Sequence, residues 1–242
     1  MFVNNRLGLI EGVETMRAQE ERMNQIANNL ANVDTAGYKR ENLTFWEMLH
    51  VTEARTMRVG KGMRLLTDFQ QGPAKLTGNP LDVLIDGRGF FKIQTPEGIR
   101  YTRAGQFAVN GTGQLVTPEG YQVLGTDGTI LINGKEVLID RNGGVNVDGQ
   151  LVNQLDLADF SDLSALRKEG ANLFRLQEGE GQEVAPQGVQ LIQGSIEQSN
   201  ADVTHELTDM IDLQRNYEAQ QKLVQAIDDM DGQAVNQVGK VS

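Results

Sequence analysis

The chain has 242 residues, enough to bury a core without cross-links, and its 39 % hydrophobic and 5 % aromatic content is lean beside the roughly 45–50 % apolar average of globular proteins, which also counts glycine. A formal charge of −11 and a pI near 4.7 argue against nucleic acid or an anionic membrane as a partner, since both demand a basic face. Cysteine is absent, which excludes disulfides, thiolate metal sites and thiol nucleophiles.

Residues 4–33 read as one helix. Leu9, Met16, Met23 and Leu30 recur every seven positions, and Ile26 and Val33 fill the intermediate ones, so the apolar residues form one narrow stripe. Gly8 and Gly12 weaken its start. Thirty residues reach roughly 45 Å, and so long a rod with so thin a stripe needs partners along its length. Charged residues from Arg6 to Arg22 interrupt any apolar run, so neither a cleavable signal core nor, anywhere in the chain, an uninterrupted membrane span is expected.

The helix is expected to stop at Asp34-Thr35-Ala36-Gly37, polar turn formers followed by a glycine able to take positive φ. Asn28, Asn29 and Asn32 fall within about one turn of its end. Capping needs fewer amides than this, and Asn is a mediocre helix former, so the three suggest specific lateral hydrogen bonds.

Residues 37–80 read as a connecting region, part loop and part strand. Tyr38, Phe45, Trp46 and Leu49 could continue a short amphipathic segment, with Trp46 a packing anchor, before a stretch marked by Gly60, Gly62, Gly72, Pro73, Gly78 and Pro80. From 81 to 197 short β segments alternate with turn chemistry such as Pro96-Glu97-Gly98, Asn110-Gly111 and Asp127-Gly128, which predicts an all-β domain. Strands are expected at 81–85, 90–94, 99–102, 106–109, 114–116, 121–124, 129–132, 136–139, 145–147, 150–157, 172–177 and 188–193, with a helical turn at 162–166. Gly87 and Gly89 suit a tight turn or bulge, and adjacent Phe90 and Phe91 would place one ring on each face of a strand.

The last helix follows Ser199 or Asn200 as N-cap. Val203, Met210, Tyr217 and Val224 recur every seven residues, joined by Leu207, Leu213 and Ile227, and the run 228–232 is expected to end or bend the helix. From Asp202 onward eight acids face three bases, a local charge of −5. Most of this reads as a solvated face; a charge-complementary neighbour is the sharper reading.

Catalytic and metal chemistry finds no constellation. His50 and His205 lack ligand-spaced companions, and residues 140–144 lack the closing acid of a calcium loop. Gly87-Arg88-Gly89 is not completed into a phosphate loop, and no serine sits in a nucleophile elbow. No catalytic, cofactor-binding or metal-binding residue is assigned, and no cofactor is expected.

Three segments carry a family likeness. Residues 27–32 (Ala-Asn-Asn-Leu-Ala-Asn) with Thr35, Gly37, Tyr38 and Lys39, residues 86–91 with 101–107 and 113–117, and residues 194–203 together resemble the bacterial flagellar rod and hook proteins, which form the axial shaft of the flagellum. The resemblance implies a structural subunit of the basal-body rod, with terminal helices forming an inner tube and the β domain outside. It also implies export by the flagellar type III apparatus and a place in the rod that crosses the periplasm. The ending at 227–236 resembles the proximal-rod branch, while residues 86–107 also resemble the distal-rod branch. From other classes, a β-rich glycan-binding module would require exposed aromatics, whereas Tyr101, Phe107 and Tyr121 read more simply as core; a wall-cutting enzyme would require an active site that no motif supplies.

The resulting expectation is an α+β chain: long N- and C-terminal helices (1–36 and 198–242) paired as a coiled-coil-like arm, a connecting region (37–80) and an inserted all-β domain (81–197). Its partners would be copies of itself and other rod proteins in a helical assembly, with no nucleic acid and no membrane span. The expected polymer interface comprises Met16, Met23, Ile26, Asn28, Asn29, Leu30, Asn32, Val33, Val203, Leu207, Met210, Leu213, Tyr217, Val224 and Ile227.

Overall fold

A computed structural model describes residues 2–51, 57–170, 172–177 and 179–238, with side chains described over 12–44, 62–170, 172–177, 179–230 and at 232. The chain divides into two compact units. One holds Met1–Ala31, Glu41–Leu66 and Asp202–Ser242; the other holds Asn32–Arg40 and Thr67–Ala201.

In the first unit, helix α1 (Phe2–Ala31) lies against helix α2 (Val203–Val238). They run antiparallel: Gly12 lies opposite Val224, Arg22 reaches Asp209 at 3.9 Å, and Asn29 meets Glu206. A Cβ added at Gly12 would come to 3.3 Å from the Val224 side chain, so the weak helix former there serves close approach of the two rods. Asp202 caps α2, its carboxylate accepting the His205 N–H and its carbonyl the Glu206 N–H. Ser199 and Asn200, the expected caps, are committed elsewhere: the Ser199 hydroxyl accepts from the Ala201 N–H and the Asn200 amide holds Arg40 and Asp68. The helix runs on past 228–232 to Val238, because one glycine costs only about 1 kcal/mol in a helix interior and α1 packs alongside. Residues Glu41–Val51 and Met57–Thr67 form a two-stranded ribbon where a short amphipathic segment was expected after the first helix; the Phe45, Trp46, Leu49 and His50 side chains lie outside the described residues.

The second unit is built on a ten-stranded sheet. Its main path runs Leu166–Lys168, Leu173–Leu176, Gly98–Thr102, Phe90–Thr95, Gln122–Gly125, Leu115–Val116 and Ala108–Val109. Beside it stand a three-stranded sheet (Val137–Ile139, Gly144–Val147, Gln150–Gln154) and two short pairs, Val83–Asp86 with Gln190–Gln193 and Ala74–Leu76 with Ser195–Glu197. The strand Phe90–Thr95 separates two cores. Phe91 packs with Val83, Ile93, Phe107, Leu115 and Val123, while Phe90 packs with Tyr101, Phe160, Leu166 and Phe174, as the alternation of a strand requires. Gly87 turns the chain into this strand at φ 109°, a conformation that costs a side-chain-bearing residue.

The expected architecture is corrected on one point of substance. Both ends are helical, but among the described residues there are only two α-helices against nineteen strands, and both large apolar clusters belong to the β-rich body. A coiled-coil-like arm carrying an insert therefore misstates where the fold is held together. Along the helices only Ile26 and Leu213 among the described apolar residues of the seams are buried, and Gln25, Asn29 and Glu206 are buried with them, so the helices hold no large apolar cluster of their own.

Candidate assembly interface

The three asparagines near the end of α1 have separate roles. Asn29 is fully buried: its amide donates to the Glu41 carbonyl (3.0 Å) and to Glu206 Oε1 (3.2 Å), and its own oxygen accepts from the Glu41 N–H (3.1 Å). One side chain thus satisfies both backbone groups of the first ribbon residue and reaches a buried carboxylate on α2, while Gln25 adds a second donor to the same carbonyl (2.5 Å). Asn32 organises the turn, its carbonyl and side-chain oxygen accepting from the N–H and hydroxyl of Thr35. Asn28 is exposed.

In the β-rich unit the segment after the helix is locked by charge. Lys39 and Glu197 are each 1 % exposed and meet at 2.6 Å; the same carboxylate accepts from Arg103 Nε (2.9 Å) and from the Gly72 N–H (2.9 Å). Burial pulls the Lys39 and Arg103 pKa values down, and Glu197 opposes that pull in both. Lys39 also donates to the Gln70 carbonyl, and Arg103 to the carbonyls of Gly87 and Gly89. Lys168 Nζ sits 3.5 Å over the Tyr38 ring, and Asn172 donates to the Ala36 carbonyl. Gly37 (φ 67°) fits because a Cβ there would overlap the backbone of Arg103 and Ala104.

The expected interface residues divide by exposure. Ile26, Asn29 and Leu213 are buried; Met16, Met23, Leu30, Met210, Tyr217, Val224 and Ile227 are half-buried along α1 and α2; Val203 and Leu207 are each 42 % exposed. Asn32 and Val33, both half-buried, belong to the β-rich unit. Sequence reading passed over Ile211 (49 %), Leu223 and Met230, apolar residues exposed on α2, because they stand off the seven-residue repeat. It also passed over the Lys39–Glu197–Arg103 cluster. Lys39 was visible in its motif, but its partners are far away in sequence and no periodicity marks them.

Tyr101 and Phe107 are buried and Tyr121 packs against the larger core, so none of them offers the open platform a glycan site needs. Among the described residues no group of acids and histidines could hold a metal ion, and no helix is long and apolar enough to cross a membrane.

Two helices with apolar side chains in water, joined to a β-rich body that holds both large cores and also exposes Leu76, Leu138 and Leu151, are the build of a structural assembly subunit. Comparison with known proteins makes this specific. Residues 11–39 match the family described as flagella basal body rod protein, residues 84–153 the flagellar hook protein FlgE/F/G D1 domain, and residues 192–237 the flagellar basal body rod FlgEFG protein C-terminal region. The chain is 32 % identical to flagellar basal-body rod protein FlgG of Bacillus subtilis, over 94 % of this chain and 97 % of the relative. It is 37 % identical to FlgG of Buchnera aphidicola from Acyrthosiphon pisum (88 % and 92 %), and 33 % identical to FlgF of Caulobacter vibrioides (97 % and 98 %). The chain belongs to the flagellar basal-body rod protein family, and it is a structural subunit of that rod.

Proposed function

We propose that the chain polymerises into the rod through its helical unit, with copies of itself and other rod proteins covering the apolar surface of α2. The carrying observation is the row Val203, Leu207 and Ile211, spaced four apart so that they share one helix face, each between 42 % and 49 % exposed. A contact between this face and a different patch on the next subunit is heterologous and propagates as a helix of subunits. The half-buried residues of the two helices, from Met16 and Met23 to Val224 and Ile227, form the flank of that contact. The subunit leaves the cytoplasm through the flagellar type III apparatus and takes its place in the rod where it crosses the periplasm.

Within the family the ending at 227–236 supports the proximal rod. A second reading, the distal rod, draws support from residues 86–107. Leu207→Asp combined with Ile211→Asp is expected to leave far-UV and near-UV circular dichroism unchanged and to abolish incorporation into purified basal bodies. Incorporation at the normal level would remove the basis for this interface. Electron micrographs of basal bodies with the subunit tagged separate a proximal from a distal position.

A further inference from the structure

Three Asn–Gly pairs occur in the chain, Asn110-Gly111, Asn133-Gly134 and Asn142-Gly143. Each sets an electrophile, the side-chain amide carbon, beside a nucleophile, the backbone nitrogen of a residue with no side chain to shield it. The fold ties up two of the three. Asn110 Oδ1 accepts from the Thr112 N–H (3.0 Å), the Thr112 hydroxyl (2.7 Å) and the Gln114 N–H (2.9 Å), and its Nδ2 donates to Gln114 Oε1 (3.1 Å), so the amide is fixed within its own turn. In the pair at 142 the attacking nitrogen is committed instead: the Gly143 N–H donates to the Asp140 carbonyl (3.0 Å), while the Asn142 N–H and carbonyl are held by Asp140 Oδ1 and Gln154 Nε2 (2.8 Å each). Asn133 and Gly134 are exposed and lie outside any strand, just before Val137–Ile139. No described residue hydrogen-bonds the Asn133 amide, whose Oδ1 lies beside Gly113, and none accepts from the Gly134 N–H. The glycine is also obligatory, because a Cβ at 134 would overlap Asp148 Oδ2 and the Val147 side chain.

We propose that Asn133 is a modification site, deamidated spontaneously in the folded protein by attack of the Gly134 nitrogen. The Gly134 nitrogen bonds to Asn133 Cγ, the Cγ–Nδ2 bond breaks, and the side-chain nitrogen departs as ammonia with the proton that the backbone nitrogen gives up. Water then opens the cyclic imide at either carbonyl, leaving aspartate or isoaspartate. Approach of the two atoms costs no hydrogen bond at this pair, whereas at the other two it must first break several. Either product adds one negative charge to a molecule of charge −11. That charge arises next to the glycine that packs on Asp148, whose Oδ1 holds the Lys135 and Glu136 N–H groups at 3.2 and 3.0 Å. The fold therefore imposes at 134 the residue that makes its neighbour labile.

The test incubates the full chain in warm, mildly alkaline buffer, folded and in guanidinium chloride, and follows amide-to-acid conversion at each asparagine by peptide mass spectrometry. The unfolded chain gives each site its own reference rate. Folding is expected to slow Asn110 and Asn142 by about tenfold or more and Asn133 by no more than about threefold, since only the first two require local opening. Isoaspartate is expected beside aspartate at 133, the mark of the imide route. Asn133→Gln, whose longer stem disfavours the ring, is expected to remove most of the ammonia that the folded chain releases, with near-UV circular dichroism unchanged. Slowing of Asn133 by as much as either other site, or ammonia release undiminished in Asn133→Gln, overturns the site; aspartate at 133 without isoaspartate overturns attack by Gly134.

Discussion

Replacing Glu197 by alanine should be among the most damaging single changes outside the two apolar cores. The carboxylate is 1 % exposed and holds Lys39 at 2.6 Å, Arg103 at 2.9 Å and the Gly72 N–H at 2.9 Å. Removing one partner of a buried pair costs about 3–5 kcal/mol because the other is left charged and dry. Here two cations are stranded, so the upper end applies, and at about 2–4 °C per kcal/mol the melting temperature should fall by about 10–20 °C. Lys39→Met, which leaves the Glu197–Arg103 pair intact, should cost less than half as much. Combining the two should be milder than Glu197→Ala alone, a coupling of about 0.5–3 kcal/mol, since the second change removes one of the stranded charges. Alkali offers a further check. The folded-state pKa of Lys39 is lowered, so the unfolded chain binds the extra proton between that value and the ordinary 10.5, and stability from this group rises with pH across the interval. Loss of Glu197 deepens the lowering, and the deficit of Glu197→Ala should therefore narrow as pH rises. Calorimetry on the full chain measures all of this; a fall under about 3 °C, or strict additivity of the two changes, would refute the argument.

Gly37→Ala should cost about 1–3 kcal/mol from its left-handed backbone and more from overlap with Arg103 and Ala104, whereas Gly111→Ala, with open space around it, should change the urea midpoint little. Burial and the Glu183 carboxylate raise the Tyr101 pKa well above its ordinary value of 10, so the folded phenol keeps a proton the unfolded chain loses, and stability declines above that pH by up to about 1.4 kcal/mol per unit. Tyr101→Phe should lose about 0.5–1.5 kcal/mol at neutral pH and show a shallower alkaline decline in urea unfolding; parallel declines would contradict the assignment. Asn29→Asp sets a second carboxylate beside buried Glu206 and should destabilise the helical unit, with recovery on acidification, as read by far-UV circular dichroism against pH. Leu30→Asp and Met210→Asp, each at a half-buried helix position, should leave the near-UV signal of the β-rich unit unchanged yet prevent incorporation into the rod; motility at the normal level in both would count against the seam.

Much of this fold could be read from spacing. Alternation and turn chemistry located most of the β segments, and adjacent Phe90 and Phe91 face opposite cores because strand geometry allows little else. Pattern failed where the partner is distant. The strand Ser195–Glu197 is three residues long and pairs with Ala74–Leu76 across more than a hundred residues, so no local signal announces it. Lys39 is a surface residue on any propensity scale, and its burial follows from Glu197, 158 positions away. The asparagines were legible as a group with lateral tasks, but only geometry separates Asn29, which joins ribbon and helix, from Asn32, which shapes a turn. The weight given to the helices was too great for a similar reason. Seven-residue repeats are conspicuous in a sequence, whereas a β body is assembled from many short pieces that are individually faint.

The strand Phe90–Thr95 has its first two rings in separate oily interiors. Unfolding either interior disturbs the backbone that holds the other, so heat or force should find one cooperative block around both. A shaft that carries torque gains from such a block, because no soft joint exists inside it for twist to collect.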